Sequence, residues 1–186
     1  MTARMAVIGF LLIASTVAAA QDLVDTAPLV SVRETDDKSY VVAARFTVPE
    51  TAPVVRAVLT DYEQIPRFMP GVRMSRVLER AEGHARIEQE AVSKFMLFSK
   101  RVHLVLDVEE HPEVIRFRDR CGKSFKSYEG AWTITERVDR TEIEYRLTAT
   151  PAFDVPGFVL RRLLDRDARA MIDGLRAAIG TRGLAR

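Results

Sequence analysis

Five stretches from residue 85 onward alternate apolar and polar residues with a period of two. Across 85–93, Ala85, Ile87, Gln89 and Ala91 oppose Arg86, Glu88 and Glu90. Across 101–108, Val102, Leu104, Leu106 and Val108 oppose Arg101, His103 and Asp107. Across 114–121, Ile115 and Phe117 oppose Arg116, Arg118 and Arg120. Tyr128, Gly130, Trp132 and Ile134 share a face of 127–135, and Ile143, Tyr145, Leu147 and Ala149 share a face of 142–149. Successive strand side chains point to opposite faces, so each stretch reads as an antiparallel strand with one wet and one covered face. The links Glu82-Gly83, His111-Pro112-Glu113 and Asp139-Arg140 are short. Short links make neighbours in sequence neighbours in space, which is a meander. Upstream, 30–34 and Tyr40–Val48 read as two more strands around the polar turn Thr35-Asp36-Asp37-Lys38.

A sheet with one apolar face needs a cover. Asp154-Val155-Pro156-Gly157 is a helix-start signal. After it, Leu160, Leu164, Met171, Leu175 and Ile179 recur at helical spacing, while Arg161, Arg162, Asp165, Arg166, Arg169, Asp173 and Arg176 lie largely away from them. The expectation is one long amphipathic helix held by the sheet.

The segment from Phe46 to Leu78 connects the opening strands to the meander. Val54, Val55, Val58, Leu59 and Tyr62 make one apolar helix face. Thr51 stands where a cap is needed, and Pro53 falls in the first turn, where its missing N–H costs little. Ile65-Pro66-Arg67-Phe68-Met69-Pro70-Gly71 then turns the chain. Phe68 and Met69 at that corner read as a plug over the core or as the rim of a ligand cavity.

Three of these motifs resemble the START-like (SRPBCC, helix-grip) superfamily, in its polyketide cyclase/dehydrase and coenzyme-Q-binding branch. The segment Asp61 to Gly71 is similar to that family's D-x-x-x-x-P-x-F-x-P-G turn. Gly130-Ala131-Trp132 is similar to its late G-x-W strand, and Thr141-Glu142-Ile143-Glu144-Tyr145 to the strand after it. The resemblance runs roughly from Val41 to Gly180. It implies an α+β helix-grip fold: a curved antiparallel sheet wrapped around a long C-terminal helix, with two short helices after the first strand. It also implies a hydrophobic cavity between sheet and helix. The fold hosts carriers, cyclases and interaction proteins alike, so function must be argued from the site.

The expected wall is apolar and aromatic: Phe68, Met69, Phe95 or Phe98, Phe117, Trp132, Tyr145, Leu160, Leu164 and Met171. Such a set lines an ordinary core as well as a small-molecule pocket. Period-two counting turns three polar residues inward, Gln89, Tyr128 and Tyr145. They can orient a ligand's carbonyl or hydroxyl, or satisfy one another. Enzyme signatures are sparse. His84, His103 and His111 have no metal-ligand spacing, and His84 beside a turn and His103 on a charged strand face read as surface residues, so no metal site is expected. The sequence has no G-x-S-x-G elbow and no glycine-rich phosphate loop, and no cofactor is expected. The carboxylate pairs Glu109-Glu110 and Asp165/Asp167 read as solvated. A cyclase or dehydratase needs only a shaped pocket and a proton donor, and Tyr128 and Tyr145 are the candidates.

The first twenty residues read differently. Arg4 is their only charge, 6–20 is a run of apolar and small residues, and Ala18-Ala19-Ala20 precedes Gln21. This is the pattern of a signal peptide cleaved between Ala20 and Gln21. The run is short for a membrane span, which needs ~20 apolar residues. Losing Arg4 takes the formal net charge from +2 to +1. A charge so near zero argues against a nucleic-acid partner. Arginine greatly outnumbers lysine and asparagine is absent, as a GC-rich bacterial coding sequence gives. Cys121 is the only cysteine, so no intramolecular disulfide is available; it reads as a small strand residue.

The domain plan is therefore a signal peptide at 1–20, a flexible lead-in at 21–28 and one START-like domain at 29–182. The expected function is non-covalent binding of a hydrophobic small molecule or lipid, quinone, fatty acyl or polycyclic, by a periplasmic or secreted monomer with transient membrane contact. The rivals are a cyclase/dehydratase using the same pocket and an interaction module without ligand. Intact-mass measurement on the periplasmic fraction should give a chain beginning at Gln21. A full-length cytosolic species would overturn the export reading.

Overall fold

The computed structural model describes residues 27–95 and 98–185, and of 93–95 and 98 the backbone alone. The expected signal segment and its Ala20/Gln21 junction lie outside the described residues, as do the side chains of Phe95 and Phe98.

The chain opens with the hairpin β1 (Leu29–Glu34) and β2 (Tyr40–Val48). Then come α1 (Ala52–Leu59), a short 3-10 turn (Tyr62–Gln64) and α2 (Ile65–Phe68). The meander is β3 (Val72–Ala81), β4 (His84–Phe95), β5 (Phe98–Glu110), β6 (Val114–Asp119), β7 (Phe125–Glu136) and β8 (Thr141–Pro151), and α3 (Gly157–Leu184) ends the chain. All pairings are antiparallel, in the order β1-β2-β8-β7-β6-β5-β4-β3. β2 pairs with the last strand, whereas β3 lies at the far edge. The α1–α2 segment must therefore cross from one side of the sheet to the other.

The alternating residues fall as their period requires. Ile87, Leu104, Leu106, Val108, Ile115, Trp132, Ile134, Ile143, Tyr145, Leu147 and Ala149 are all buried. Against them α3 buries Val159, Leu160, Leu163, Ala168, Ile172, Leu175 and Ile179. Ile172, Leu175 and Ile179 have no exposed surface at all. Leu164 and Met171 are only half-buried, for a reason that the cavity below explains. Among the described residues no helix is long and apolar enough to cross a membrane.

The crossing segment is tied down at both ends. Thr51 occupies the N-cap of α1, but its side chain makes no capping bond; its carbonyl accepts from Val54 and Val55 instead. Fully buried Thr141 donates its hydroxyl to the Glu50 carbonyl at 2.6 Å, joining β8 to the entry of α1. Tyr62 donates to Glu110 at 2.7 Å, and Arg80 (3.2 Å) and Arg56 (3.7 Å) pair with the same carboxylate. Glu110 is thus the hub of a charged cluster with a side chain 10% exposed, not the solvated residue expected; Glu109 is exposed as expected. Its burial follows from the period: the chain needs a charge acceptor where the Tyr62 hydroxyl is driven inward.

At α2, helix meets helix at van der Waals limit. A Cβ on Gly174 would collide with the Phe68 carbonyl. Alanine normally gains ~1 kcal/mol over glycine inside a helix. Here the obstacle is backbone, so Gly174→Ala should instead lower stability by ~1–3 kcal/mol. Gly180 is the control, since its Cβ would meet only the Glu50 carboxylate at 3.6 Å, and Gly180→Ala should stabilise. Paired denaturant melts check both signs.

Candidate functional site: a two-chamber cavity

The concave face of the sheet and α3 part company toward the helix N-terminus. The gap is a cavity of about 390 Å³. Its walls include Val42, Ala91, Val92, Val102, Leu104, Phe125, Leu147, Phe153 and Val155, with Leu160, Leu163, Leu164 and Ala168 from α3. Behind it, beneath α1 and α2, lies a second space of about 80 Å³. That one is walled by Leu59, Tyr62, Ile65, Phe68, Ile87, Leu106, Val108, Ile115, Phe117 and Trp132. Met69, Gln89, Tyr128, Tyr145 and Met171 line both spaces and form the waist between them.

Strand register builds the waist. Trp132 pairs directly with Tyr145 across β7 and β8, and their ring centroids are 4.4 Å apart. Phe117 pairs with Gly130, where a Cβ would come within 2.6 Å of the Phe117 ring. Glycine at that position lets Phe117 lie over the sheet, where it contacts Tyr128 at 6.0 Å and Tyr145 at 6.3 Å between centroids. Phe125 closes on Tyr128 from the other side at 4.9 Å. Tilted and offset rings at these distances hold one another in place. The phenol positions are thus fixed by packing.

The polar groups are few. The Tyr128 and Tyr145 hydroxyls lie close enough for each to act on the other's proton affinity. The Gln89 amide donates to Ser75 at 3.3 Å. Burial pushes the Tyr128 phenol up to about 12 and the Tyr145 phenol well above its usual range, so both are neutral donors at physiological pH. At the mouth are Ser99, Lys100, Asp154 and Asp167, with the Lys100 ammonium 4.4 Å over the Phe153 ring. Among the described residues no His, Cys, Asp and Glu group could hold a metal ion.

The structure gathers nine of the residues singled out from the sequence around one interior space. Phe68, Phe117 and Trp132 line the inner chamber, Leu160 and Leu164 the outer, and Met69, Gln89, Tyr145 and Met171 the waist. Candidate donor Tyr128 is also at the waist. Missed were Phe125, Phe153, Val155 and Leu163. Phe153 and Val155 follow the last strand, where no periodicity marks which way they point. Leu163 was legible as the i+3 partner of Leu160. Among the histidines, His84 and His111 are exposed, but His103 is half-buried and bonded to Glu88 at 2.9 Å. Cys121 lies past the end of β6 rather than within a strand, because β6 stops at Asp119, whose carboxylate accepts from the amides of Cys121 and Gly122.

A curved antiparallel sheet gripping one long helix over an apolar cavity defines the helix-grip class. The polyketide cyclase / dehydrase and lipid transport family matches residues 48–176, and the chain belongs to it. Among curated proteins, none matches this sequence. Solved structures do. A STAR-related lipid transfer protein fragment from Xanthomonas axonopodis is 17% identical with TM-score 0.68, covering 83% of this chain and 94% of its own. The Zhui aromatase/cyclase from Streptomyces sp. R1128 is 16% identical with TM-score 0.65, covering 77% and 95%. Human STARD10 is 13% identical with TM-score 0.68, covering 83% and 70%. Likeness at this identity shows the fold. Fold and family together make the chain a START-like hydrophobic-ligand-binding domain.

The phenols generate a pH prediction. Their folded pKa values lie above the ~10 of free tyrosine, so the folded state holds protons that the unfolded state releases. Their contribution to stability is full below pH ~10 and is lost as pH rises through the folded values. Denaturation at stepped alkaline pH should show this fall, and Tyr128→Phe/Tyr145→Phe should make it shallower. An identical slope in the double variant would mean that the waist phenols are not buried.

Proposed function

We propose that this protein is an exported carrier that sequesters one hydrophobic small molecule or lipid in the cavity and does not transform it. The observation that carries the reading is the pairing of a deep, largely apolar cavity with buried phenols at its waist. Burial of apolar surface at ~25 cal/mol per Å² supplies the affinity, and the waist supplies orientation. A general acid works best with a pKa near the working pH. Tyr128, at about 12, is far from that and is suited to donating a hydrogen bond. The lipid transfer protein from Xanthomonas, similar in fold, supports a carrying role; the Streptomyces aromatase/cyclase keeps catalysis as the rival. Export rests on the N-terminal pattern, with quinone, fatty acyl and polycyclic molecules as the cargo classes. Contact with a membrane during loading follows from such cargo, and nothing in the reading needs a second protomer or a cofactor.

Solvent extraction and native mass spectrometry of freshly purified protein should reveal a bound hydrophobic molecule. Two variants then separate the readings. Leu164→Trp projects an indole into the outer chamber at a strain of ~1–3 kcal/mol, and should abolish ligand retention by obstructing the approach to the waist. Tyr145→Phe removes one hydroxyl, worth ~0.5–1.5 kcal/mol if a hydrogen bond is lost, and should leave most retention. An enzyme using Tyr145 as donor would keep binding and lose turnover by ~100-fold or more. Retention surviving Leu164→Trp in folded protein would place the ligand elsewhere.

A further inference from the structure

The waist has a donor to spare. Each phenol brings one O–H, and Tyr128 and Tyr145 can spend at most one of the two on each other. Among the described residues no other hydrogen bond is made by either hydroxyl. The remaining O–H borders the cavity on both sides, because both tyrosines line both chambers. Gln89, on the same ring of residues, has an amide of which only one contact, to Ser75, is recorded. A buried donor without an acceptor is costly, so an occupant that brings one is favoured over an occupant that does not.

The two chambers then fix where on the ligand that acceptor lies. Beyond the waist there is about 80 Å³, against about 390 Å³ before it. The inner walls near the waist are Ile87, Leu106, Val108, Ile115 and Trp132, and among the described residues no lysine, arginine or histidine lines that chamber. A carboxylate at the waist would therefore be a buried charge without a partner, which is strongly disfavoured. The only cation on the cavity wall, Lys100, lies at the mouth of the outer chamber among the residues described. A terminal acid can keep its head there, but its tail then passes the waist with nothing to accept the spare proton.

From this we infer that the cavity selects a neutral ligand with a carbonyl oxygen in its interior, a small apolar end in the inner chamber and a larger apolar body in the outer one. The inference rests on the carrier reading above and adds the ligand's polarity pattern to it. Quinones and polycyclic ketones have this pattern; fatty acids do not.

The test walks a carbonyl along a ligand of fixed size. Positional isomers of one long-chain dialkyl ketone share volume and hydrophobicity and differ only in where the oxygen lies. Their affinities are read by native mass spectrometry and by Trp132 emission, together with that of the parent hydrocarbon. One isomer, with its carbonyl a few carbons from an end, should bind about 3- to 10-fold tighter than the others, as one added hydrogen bond gives. Tyr128→Phe and Tyr145→Phe should each keep the peak, because the phenol that remains has its O–H free. Tyr128→Phe/Tyr145→Phe should flatten it, with every ketone isomer brought level with the others. A flat wild-type profile with all isomers bound overturns the waist inference alone and leaves the carrier standing. A peak that persists in the double variant also overturns it. Binding of neither ketone nor hydrocarbon overturns the carrier reading and this inference with it. The wild-type profile needs no variant, so it decides the matter whether or not the double variant folds.

Discussion

Everything in this structure depends on how α3 meets the sheet. Along its second half the helix is in dry contact: Ile172, Leu175 and Ile179 are wholly buried, and Gly174 lets the Phe68 backbone approach to the limit. That contact is backbone against backbone, so it cannot loosen by a rotamer change. Along its first half the same helix stands off, and Leu164 and Met171 border empty space. A helix is rigid over this length, so pinning one end against a curved sheet sets the width of the gap at the other. The cavity is the geometric remainder of a tight contact made elsewhere.

The same economy governs the polar groups. Among the described residues no buried side-chain nitrogen or oxygen is left without a partner. Thr141 bonds to the Glu50 carbonyl, and Tyr62 bonds to Glu110 within reach of Arg56 and Arg80. These bonds hold the α1–α2 crossing, which roofs the inner chamber. Burial, then the bond to Glu110, raise the Tyr62 phenol, so it remains a donor over the whole working range of pH. The waist holds two phenol O–H groups of which at most one can go to the other phenol, and it is also the place where the two cavities meet. Structural polar groups are closed, and the open ones are where a ligand can reach.

Much of this was legible in the chain. Period two put Ile87, Trp132, Tyr145 and their neighbours on the covered face, and the Pro66–Pro70 corner put Phe68 and Met69 over the interior. The C-terminal helix was legible as an amphipath. Its inner stripe, however, contains two populations that sequence cannot separate. Leu175 and Ile179 pack dry, whereas Leu164 and Met171 face the cavity, and all four occupy equivalent helical positions. The difference lies in the distance between helix and sheet, which depends on strand curvature and on the Gly174 contact. Glu110 was misread because a carboxylate beside another in a charged run looks solvated; its partners come from α1 and β3, far away in sequence. Phe153 and Val155 had no period to orient them.

The waist also bears on why one fold serves both carriage and chemistry. A START-like cavity always buries its lining, and burial raises the pKa of any phenol within it. A neighbouring positive charge would lower it again. Among the described residues none lines the inner chamber, and the one on the cavity wall is out at the mouth beside Phe153. The aromatic cluster of Phe117, Phe125 and Trp132 occupies the ground around the phenols where a cation would have to stand. The packing that positions Tyr128 and Tyr145 is therefore the same packing that keeps their phenols protonated.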